Sequence, residues 1–130
     1  VGLGTGWSAI VSTTASAFIN ESPSWNWNIL NNMNGELVAT SLPDLFDGII
    51  MNPINRDESN VVLNTSVWGN TSPTTGFPIF AISGYNCGEF TSNSGAFYSQ
   101  YGRSGSTGTA FTSTDLSGCN STFSLYCIEN

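Results

Sequence analysis

The sequence predicts an α+β domain made of many short strands, one or two short helices and long loops. Three observations predict this class. Short apolar segments rich in β-branched and aromatic residues recur along the chain, and such segments favour strands. Helix signals are few and brief. Gly, Ser, Thr and Asn dominate the connections, as over Ser92 to Gly95 and Gly102 to Thr109, which is typical of loops. We interpret residues 1–130 as a single domain.

The N-terminal part of the chain carries one strand signal, one helix signal and one turn signal. Trp7 to Val11 predicts the first strand, since its residues suit a pleated surface. Thr13 to Ile19 places apolar residues at helical spacing and predicts a short amphipathic helix. Asn34-Gly35 is a strong turn signal. The short apolar run Leu37 to Ala39 follows directly after it.

The clearest local signal is a helix that begins after Ser41. Ser41 is a favourable N-cap, Pro43 suits the first turn, and Asp44 stands where a capping box places its acid. Gly48 is a typical helix end. These signals predict a helix of about one and a half to two turns.

Apolar segments and further strand candidates follow in the rest of the chain. Ile49 to Ile54 and Asn60 to Leu63 are short apolar segments separated by charged residues. Ser66 to Trp68 predicts a brief strand. Ile79 to Ile82 and Phe123 to Ile128 are the strongest remaining strand predictions, and the second of these needs neighbours on a sheet.

The charge composition excludes several classes of partner. Charged residues make up 8% of the chain, with two Arg, no Lys, no His and a net charge of -7. Phosphate-binding surfaces are built from Lys and Arg, so we expect no nucleic-acid partner. No apolar run approaches the roughly 20 residues of a spanning helix, so we expect no membrane insertion. The polar, Lys-free balance favours an extracellular or cell-surface location.

Three cysteines are present: Cys87, Cys119 and Cys127. Their wide spacing and the absence of His do not fit a zinc site. In oxidising surroundings two of them would pair and one would remain, which suggests a partner outside this chain or a missing segment. We expect no cofactor.

Several short motifs carry a family resemblance when they are taken together and in order. They are Val1-Gly2-Leu3 through Ser12, Gly35-Glu36-Leu37-Val38 with Ser41, Leu45-Phe46 and Gly48, Ser66-Val67-Trp68, Tyr85-Asn86-Cys87 with Phe90-Thr91, and Cys119-Asn120 with Leu125 to Asn130. This order resembles the endostatin domain of the multiplexin collagens. It equally resembles a bacterial surface family of the same fold, to which Leu42-Pro43-Asp44-Leu45, Pro53-Ile54-Asn55 and Leu125-Tyr126-Cys127 are the more similar pieces.

The resemblance implies a C-type-lectin-like, endostatin-like fold with two nested disulfides. In that pattern Cys87 pairs with Cys119, and Cys127 pairs with a cysteine upstream of Val1. Endostatin's zinc site uses His and its heparin site an Arg-rich face. With no His and two Arg in this chain, neither property is expected here.

The resemblance also starts after the family's first helix. We therefore expect the strand at Trp7 to Val11 to lack a neighbour, which a preceding segment or a second chain would supply by strand addition. Trp7 to Ser12 contains no charge that would protect such an edge.

Acidic residues provide weak candidates for a metal or catalytic site. Asp57 and Glu58, with Asp44 and Asp47, could offer oxygen ligands to calcium, but they lack the regular spacing of a calcium loop. Asp44 and Asp47 stand three residues apart on one short helix. Glycoside hydrolysis needs two acids about 5–10 Å apart in a cleft, so a cap and dipole role explains this pair better.

Aromatic and Asn residues provide the binding candidates. In an extended segment, Trp25 and Trp27 lie on one face and Asn26 and Asn28 on the other. This loop could contact a glycan or another subunit, and Trp68 and Tyr85 could extend a platform for sugar rings, although aromatic residues more often fill a core. N-glycosylation sequons, which permit but do not demand a glycan, occur at Asn20, Asn64, Asn70 and Asn120.

Three functional hypotheses follow from the sequence. The first is a non-catalytic extracellular or cell-surface module that binds a glycan or a protein. The second is a structural subunit of an extracellular filament or surface layer, assembled from copies of itself and completed by a neighbouring chain. An enzyme, as a glycoside hydrolase, is a distant third, because Asp44 and Asp47 are neighbours on one short helix and no other pair of acids stands in a recognisable motif.

Overall fold

The computed structural model describes residues 7–14, 17–18 and 29–129. Within these residues, short strands and short helical segments alternate with long loops, which agrees with the predicted α+β class. The strands are β1 (Trp7–Ala9), β2 (Leu30–Asn31), β3 (Leu37–Ala39), β4 (Ser66–Trp68), β5 (Tyr98–Arg103), β6 (Asp115–Gly118), β7 (Ser124–Leu125) and β8 (Cys127–Glu129). The helical segments are α1 (Leu42–Leu45) and α2 (Cys87–Phe90), with 3₁₀ turns at Ser83–Tyr85 and Thr109–Phe111.

In the described residues the strands form three sheets. The largest has four strands in the order β6-β5-β4-β7, while β1 pairs with β8 and β2 pairs with β3. β5 is antiparallel to both its neighbours, and β7 runs parallel to β4 with Val67 opposite Ser124. The β2–β3 hairpin turns at the predicted Asn34-Gly35, where Gly35 has a φ of 78° that suits glycine.

Close backbone packing explains a glycine within β5. A side chain at Gly102 would place its Cβ 2.0 Å from the carbonyl oxygen of Phe111. The absence of a side chain therefore allows the Thr109–Phe111 turn to lie directly on the strand. The sequence had suggested a loop from Gly102 onward, but β5 continues to Arg103.

Helix α1 forms as predicted but is shorter than expected, with one turn over Leu42–Leu45. The Ser41 side chain accepts a hydrogen bond from the Asp44 N–H, so Ser41 is the N-cap. The Asp44 carboxylate does not return to Ser41; it accepts from the Thr40 N–H at 2.6 Å and from the Thr40 hydroxyl at 2.9 Å. Leu42 and Leu45 are fully buried, which fixes the helix on the core.

Segment α2 is left-handed. φ is 55° at Cys87, 59° at Gly88, 61° at Glu89 and 58° at Phe90. This conformation costs roughly 1–2 kcal/mol for each residue other than glycine, so neighbouring contacts must hold it. The fully buried Asn86 accepts from the Glu89 N–H, and its amide donates to a Glu89 carboxylate oxygen.

A disulfide between Cys87 and Cys119 ties this left-handed turn to the end of β6, as the family resemblance implied. The bridge closes a segment with a sequence separation of 32 residues. In the chain-entropy view, a loop of this length stabilises the fold by about 3–4 kcal/mol.

The core lies between the sheets and α1. Its centre is aromatic, because the Phe46 ring contacts both Phe18 and Phe111, and Phe111 also contacts Tyr126. Aliphatic side chains complete it, namely Ile10, Val38, Leu42, Leu45, Ile50 and Val67.

Two strand predictions were wrong. Ile79 to Ile82 is not a strand, because Asn70 takes the Ile79 and Phe80 N–H groups and Ile82 is 63% exposed. Phe123 to Ile128 is not one strand but two, since β7 joins β4 and β8 joins β1, with the buried Tyr126 between them.

The first strand is shorter than predicted and ends at Ala9. In the described residues β1 has a single strand neighbour, β8, and no described strand on its other side. Within the predicted helix at Thr13 to Ile19, Ala15, Ser16 and Ile19 lie outside the described residues.

Candidate functional site

A groove of about 940 Å³ lies beside the edge of the four-stranded sheet. The loop from Arg56 to Leu63 and the strands β2 and β7 contribute to its lining. We call this feature the groove, and its described lining residues are Ile29 to Met33, Gly35, Val38, Leu45, Ile54 to Glu58, Leu63, Thr65, Val67, Ser104 and Ser124 to Cys127.

Core residues form the floor of the groove. Val38, Leu45, Val67 and Tyr126 line it and are all buried. The Tyr126 hydroxyl donates to the Phe111 carbonyl at 2.9 Å, and burial raises the pKa of this phenol well above its usual value. The floor is therefore apolar and rigid, and the phenol stays neutral.

Exposed apolar side chains stand around this floor. Ile29 is 66% exposed, Met33 45%, Leu63 39% and Leu125 45%, and all of them line the groove. Single exposed apolar residues are common, but several at one concavity are typical of a surface that another molecule covers.

A charged loop forms part of the lining. Arg56 bridges to Val62 across the loop, and its guanidinium donates to the Asn60 carbonyl at 3.0 Å. The Asp57 carboxylate accepts from the N–H groups of Ser59 and Val61, which fixes the turn. The Arg56 Nε is buried and has no hydrogen-bond partner within the structure. A buried donor of this kind is costly to the fold.

Cys127 also lines the groove and is half-buried. It is the one cysteine outside the disulfide. Burial raises the pKa of its thiol, and the negative charge of Glu58 raises it further. The thiol is thus mostly protonated near neutral pH, which does not suit a catalytic nucleophile.

Two strand edges meet this groove. Leu30 and Asn31 of β2 line it, as do Ser124 and Leu125 of β7. In the described part of the chain, β2 pairs only with β3, and β7 pairs only with β4. Each strand therefore has one side without a strand partner there.

Three of the four acidic candidates for calcium accept hydrogen bonds from nearby backbone N–H groups. Asp44 is held by Thr40, whose N–H and hydroxyl keep the pKa of this carboxyl below its usual value. Asp47 accepts from the Ile49 N–H and Asp57 from its own turn, while Glu58 lies exposed at the groove. No group of three or more His, Cys, Asp or Glu residues that could hold a metal ion occurs among the described residues.

The aromatic candidates separate from one another. Trp68 is buried, with its ring centroid 4.6 Å from that of Phe123, whereas Tyr85 is 42% exposed and stacks near Phe80. Trp25, Asn26, Trp27 and Asn28 lie outside the described residues.

The sequons differ sharply in their environment. Asn70 is fully buried, and its side-chain amide donates to the carbonyls of Ser12 and Phe80. Asn64 and Asn120 are exposed, and Asn120 sits in a turn after β6. Asn20 lies outside the described residues.

The sequence did not identify the groove. Its lining comes from segments that are far apart in the chain, so no local motif marks it. The one local signal was the charged stretch Arg56 to Ser59 between two apolar segments, which the sequence interpretation treated as a calcium candidate and a solvated loop.

Among the described residues, no helix is long and apolar enough to cross a membrane. No protein-family model matches the chain, and no curated protein is significantly similar to it.

Proposed function

We propose that this chain is an extracellular or cell-surface, non-catalytic module that binds a segment of another protein in the groove. The observation that carries the proposal is the set of exposed aliphatic side chains around an apolar floor, with Leu125 and Ile29 as its most telling members. A concave apolar site with a few polar groups is the usual form of a ligand site.

The chemistry of the lining favours a protein ligand over a glycan. Sugar rings stack on exposed aromatic faces, but Tyr126 is the one aromatic residue among the described lining residues, and it is buried. Aliphatic and Met side chains, as at Met33 and Leu63, are typical of grooves that take apolar side chains of a peptide.

The described titratable groups support a non-catalytic role. A hydrolase acid needs a carboxyl with a raised pKa, whereas hydrogen bonds lower the pKa of both Asp44 and Glu89. The Cys127 thiol has a raised pKa, which is opposite to the shift that activates a nucleophile.

The finer fold is part of the proposal. We infer a C-type-lectin-like, endostatin-like domain, and the Cys87–Cys119 bridge, the Ser66–Trp68 strand and the mixed α+β architecture support it. The bridge also supports an extracellular location, since disulfides persist in oxidising compartments.

Panning a display library of random linear peptides, beside a glycan array, tests the proposal. Leu125→Lys places a charge in the groove, and Leu116→Lys is the matched control, because Leu116 is a similarly exposed Leu on β6 at the opposite edge of the same sheet. We expect peptides that bind the wild type and Leu116→Lys but lose about tenfold or more of their affinity for Leu125→Lys. Failure to select any peptide, or glycan binding that Leu125→Lys abolishes, would overturn the proposal.

A second candidate is a structural subunit completed by a neighbouring copy. The observation that favours it is β1, which has β8 on one side and no described strand on the other. Sedimentation of the purified chain decides it. Concentration-dependent assembly would support this role, and a monomer throughout would exclude it.

A further inference from the structure

We propose, resting on the proposed function, that the bound segment enters the groove as an extended, positively charged strand that pairs with the edges of β2 and β7. Unpaired strand edges, the apolar lining of the groove and its charge support this binding mode and this partner.

The unpaired sides of β2 and β7 offer backbone hydrogen-bonding groups. A strand presents hydrogen-bonding groups on two sides, and an edge without a partner is a template for another chain. β2 and β7 both line the groove, and each has one strand partner in the described residues. One inserted strand can therefore join the small β2–β3 sheet to the four-stranded sheet.

An extended segment fits these strand edges better than a helix does. A helix satisfies its own backbone hydrogen bonds and would leave both edges unpaired. A strand lies about 4.7–4.9 Å from its neighbour and points alternate side chains in opposite directions. One row of its side chains would then contact the apolar floor at Val67 and Tyr126, and the walls at Leu125 and Ile29 would cover its flanks.

The negative charge of the groove and of the whole chain favours a basic segment. Two acids and one Arg line the groove, namely Asp57, Glu58 and Arg56, so the described lining carries one net negative charge. Glu58 is the exposed acid and lies close enough to Cys127 to raise the pKa of that thiol. The chain as a whole carries a net charge of -7. A second copy would bring acid against acid, so a basic segment is the complementary occupant.

The charge is tested with selected peptides of about ten residues, which span roughly 33 Å when extended. We expect these peptides to have apolar residues at every second position and to contain Lys or Arg. Glu58→Lys should weaken their binding by about tenfold or more. Asp115→Lys makes the same change at an exposed acid on β6, outside the groove, and should leave binding unchanged. Selection of acidic peptides, or equal binding by both variants, would overturn the charge assignment.

The strand mode is tested by N-methylating the peptide amides one at a time. A strand that lies between β2 and β7 points successive amides at the two edges in turn, so each methylated amide in the paired stretch should lower the affinity and a methylated amide beyond that stretch should not. Peptide binding that no amide methylation weakens would overturn the strand mode and leave the proposed function standing. Absence of peptide binding would instead overturn the proposed function. A dimer of the free chain that Leu125→Lys dissociates would assign the groove to a second copy and overturn the inference.

Discussion

At the residue scale, Cys127 reports on the electrostatics of the groove. Its thiol pKa is raised by burial and then by Glu58. Glu58→Gln removes the negative charge, so the thiolate fraction should increase and alkylation by iodoacetamide at a fixed pH near 8 should be roughly twofold faster. Asp115→Asn, at a remote exposed acid, is the control and should leave the rate unchanged. A slower reaction in Glu58→Gln would contradict the assignment.

Gly102 tests the close packing within the four-stranded sheet. Gly102→Ala would bring a Cβ within 2.0 Å of the Phe111 carbonyl, so strand β5 and the Thr109–Phe111 turn must separate. We expect a loss of about 3 kcal/mol or more in the free energy of unfolding, measured by urea denaturation. Gly108→Ala is the matched control, because no atom lies within 4 Å of its added Cβ. Equal stability of the two variants would show that the strand and the turn do not pack this closely.

Burial also divides the sequons. Expressed in a secretory pathway that attaches N-glycans, the folded chain should carry glycan at Asn64 and Asn120 but not at Asn70. The reason is that Asn70 is fully buried and its side-chain oxygen and nitrogen are hydrogen-bonded to Phe80 and Ser12. Peptide mass spectrometry after enzymatic deglycosylation checks this. Full occupancy at Asn70 would contradict the structure around β4.

At the scale of elements, the left-handed segment α2 links acid stability to the Glu89 carboxylate. The Thr14 contact, together with the Asn86 amide, lowers the pKa of Glu89. A lowered folded-state pKa adds stability above the unfolded-state pKa, and this stability is lost as the pH falls through the folded value.

We therefore expect the free energy of unfolding to fall as the pH drops below about 4. Glu89→Gln should reduce this acid dependence, because the variant has no carboxylate to protonate at that site. Urea denaturation between about pH 6 and pH 3 measures it. Asp47→Asn, at an exposed acid bonded only within its own turn, should keep the wild-type pH profile. A Glu89→Gln profile identical to that of the wild type would contradict the role of this carboxylate.

The elements that the sequence predicted best are those fixed by local chemistry. Ser41 and Pro43 determine where α1 begins, and Asn34-Gly35 determines the β2–β3 turn, so neighbouring residues sufficed. Strands β5 and β6 were missed because Ser, Gln and Gly dominate them, and their pairing with each other stabilises them. The strand predicted at Ile79 to Ile82 does not form, although its residues suit a strand. The N–H groups of Ile79 and Phe80 donate instead to the buried Asn70.

The candidate site was the least predictable part. The Cys87–Cys119 bridge followed from the family resemblance. The groove did not, because β2 and β7 are separated by most of the chain and meet only in the folded state. Exposure of Leu125 likewise depends on β7 lying at a sheet edge, which the alternation of Phe123 to Ile128 could not reveal.

At the scale of the whole molecule, sparse charge and open edges have one common consequence. A chain with 8% charged residues has few side chains that can shield strand edges from other chains. Strands β2 and β7, each with an unpaired side, line the groove together with exposed aliphatic residues, and Glu58 places a negative charge there. Together these features favour a partner of defined chemistry over indiscriminate aggregation.

The most direct test of this account uses Cys127 as a probe within the groove. The rate of its alkylation is measured with and without a saturating concentration of a selected basic peptide. Cys127 lines the groove and is half-exposed in the free protein. We therefore expect the bound peptide to slow the reaction by about tenfold or more. An unchanged rate while the peptide is bound would contradict the central claim that the groove is the binding site.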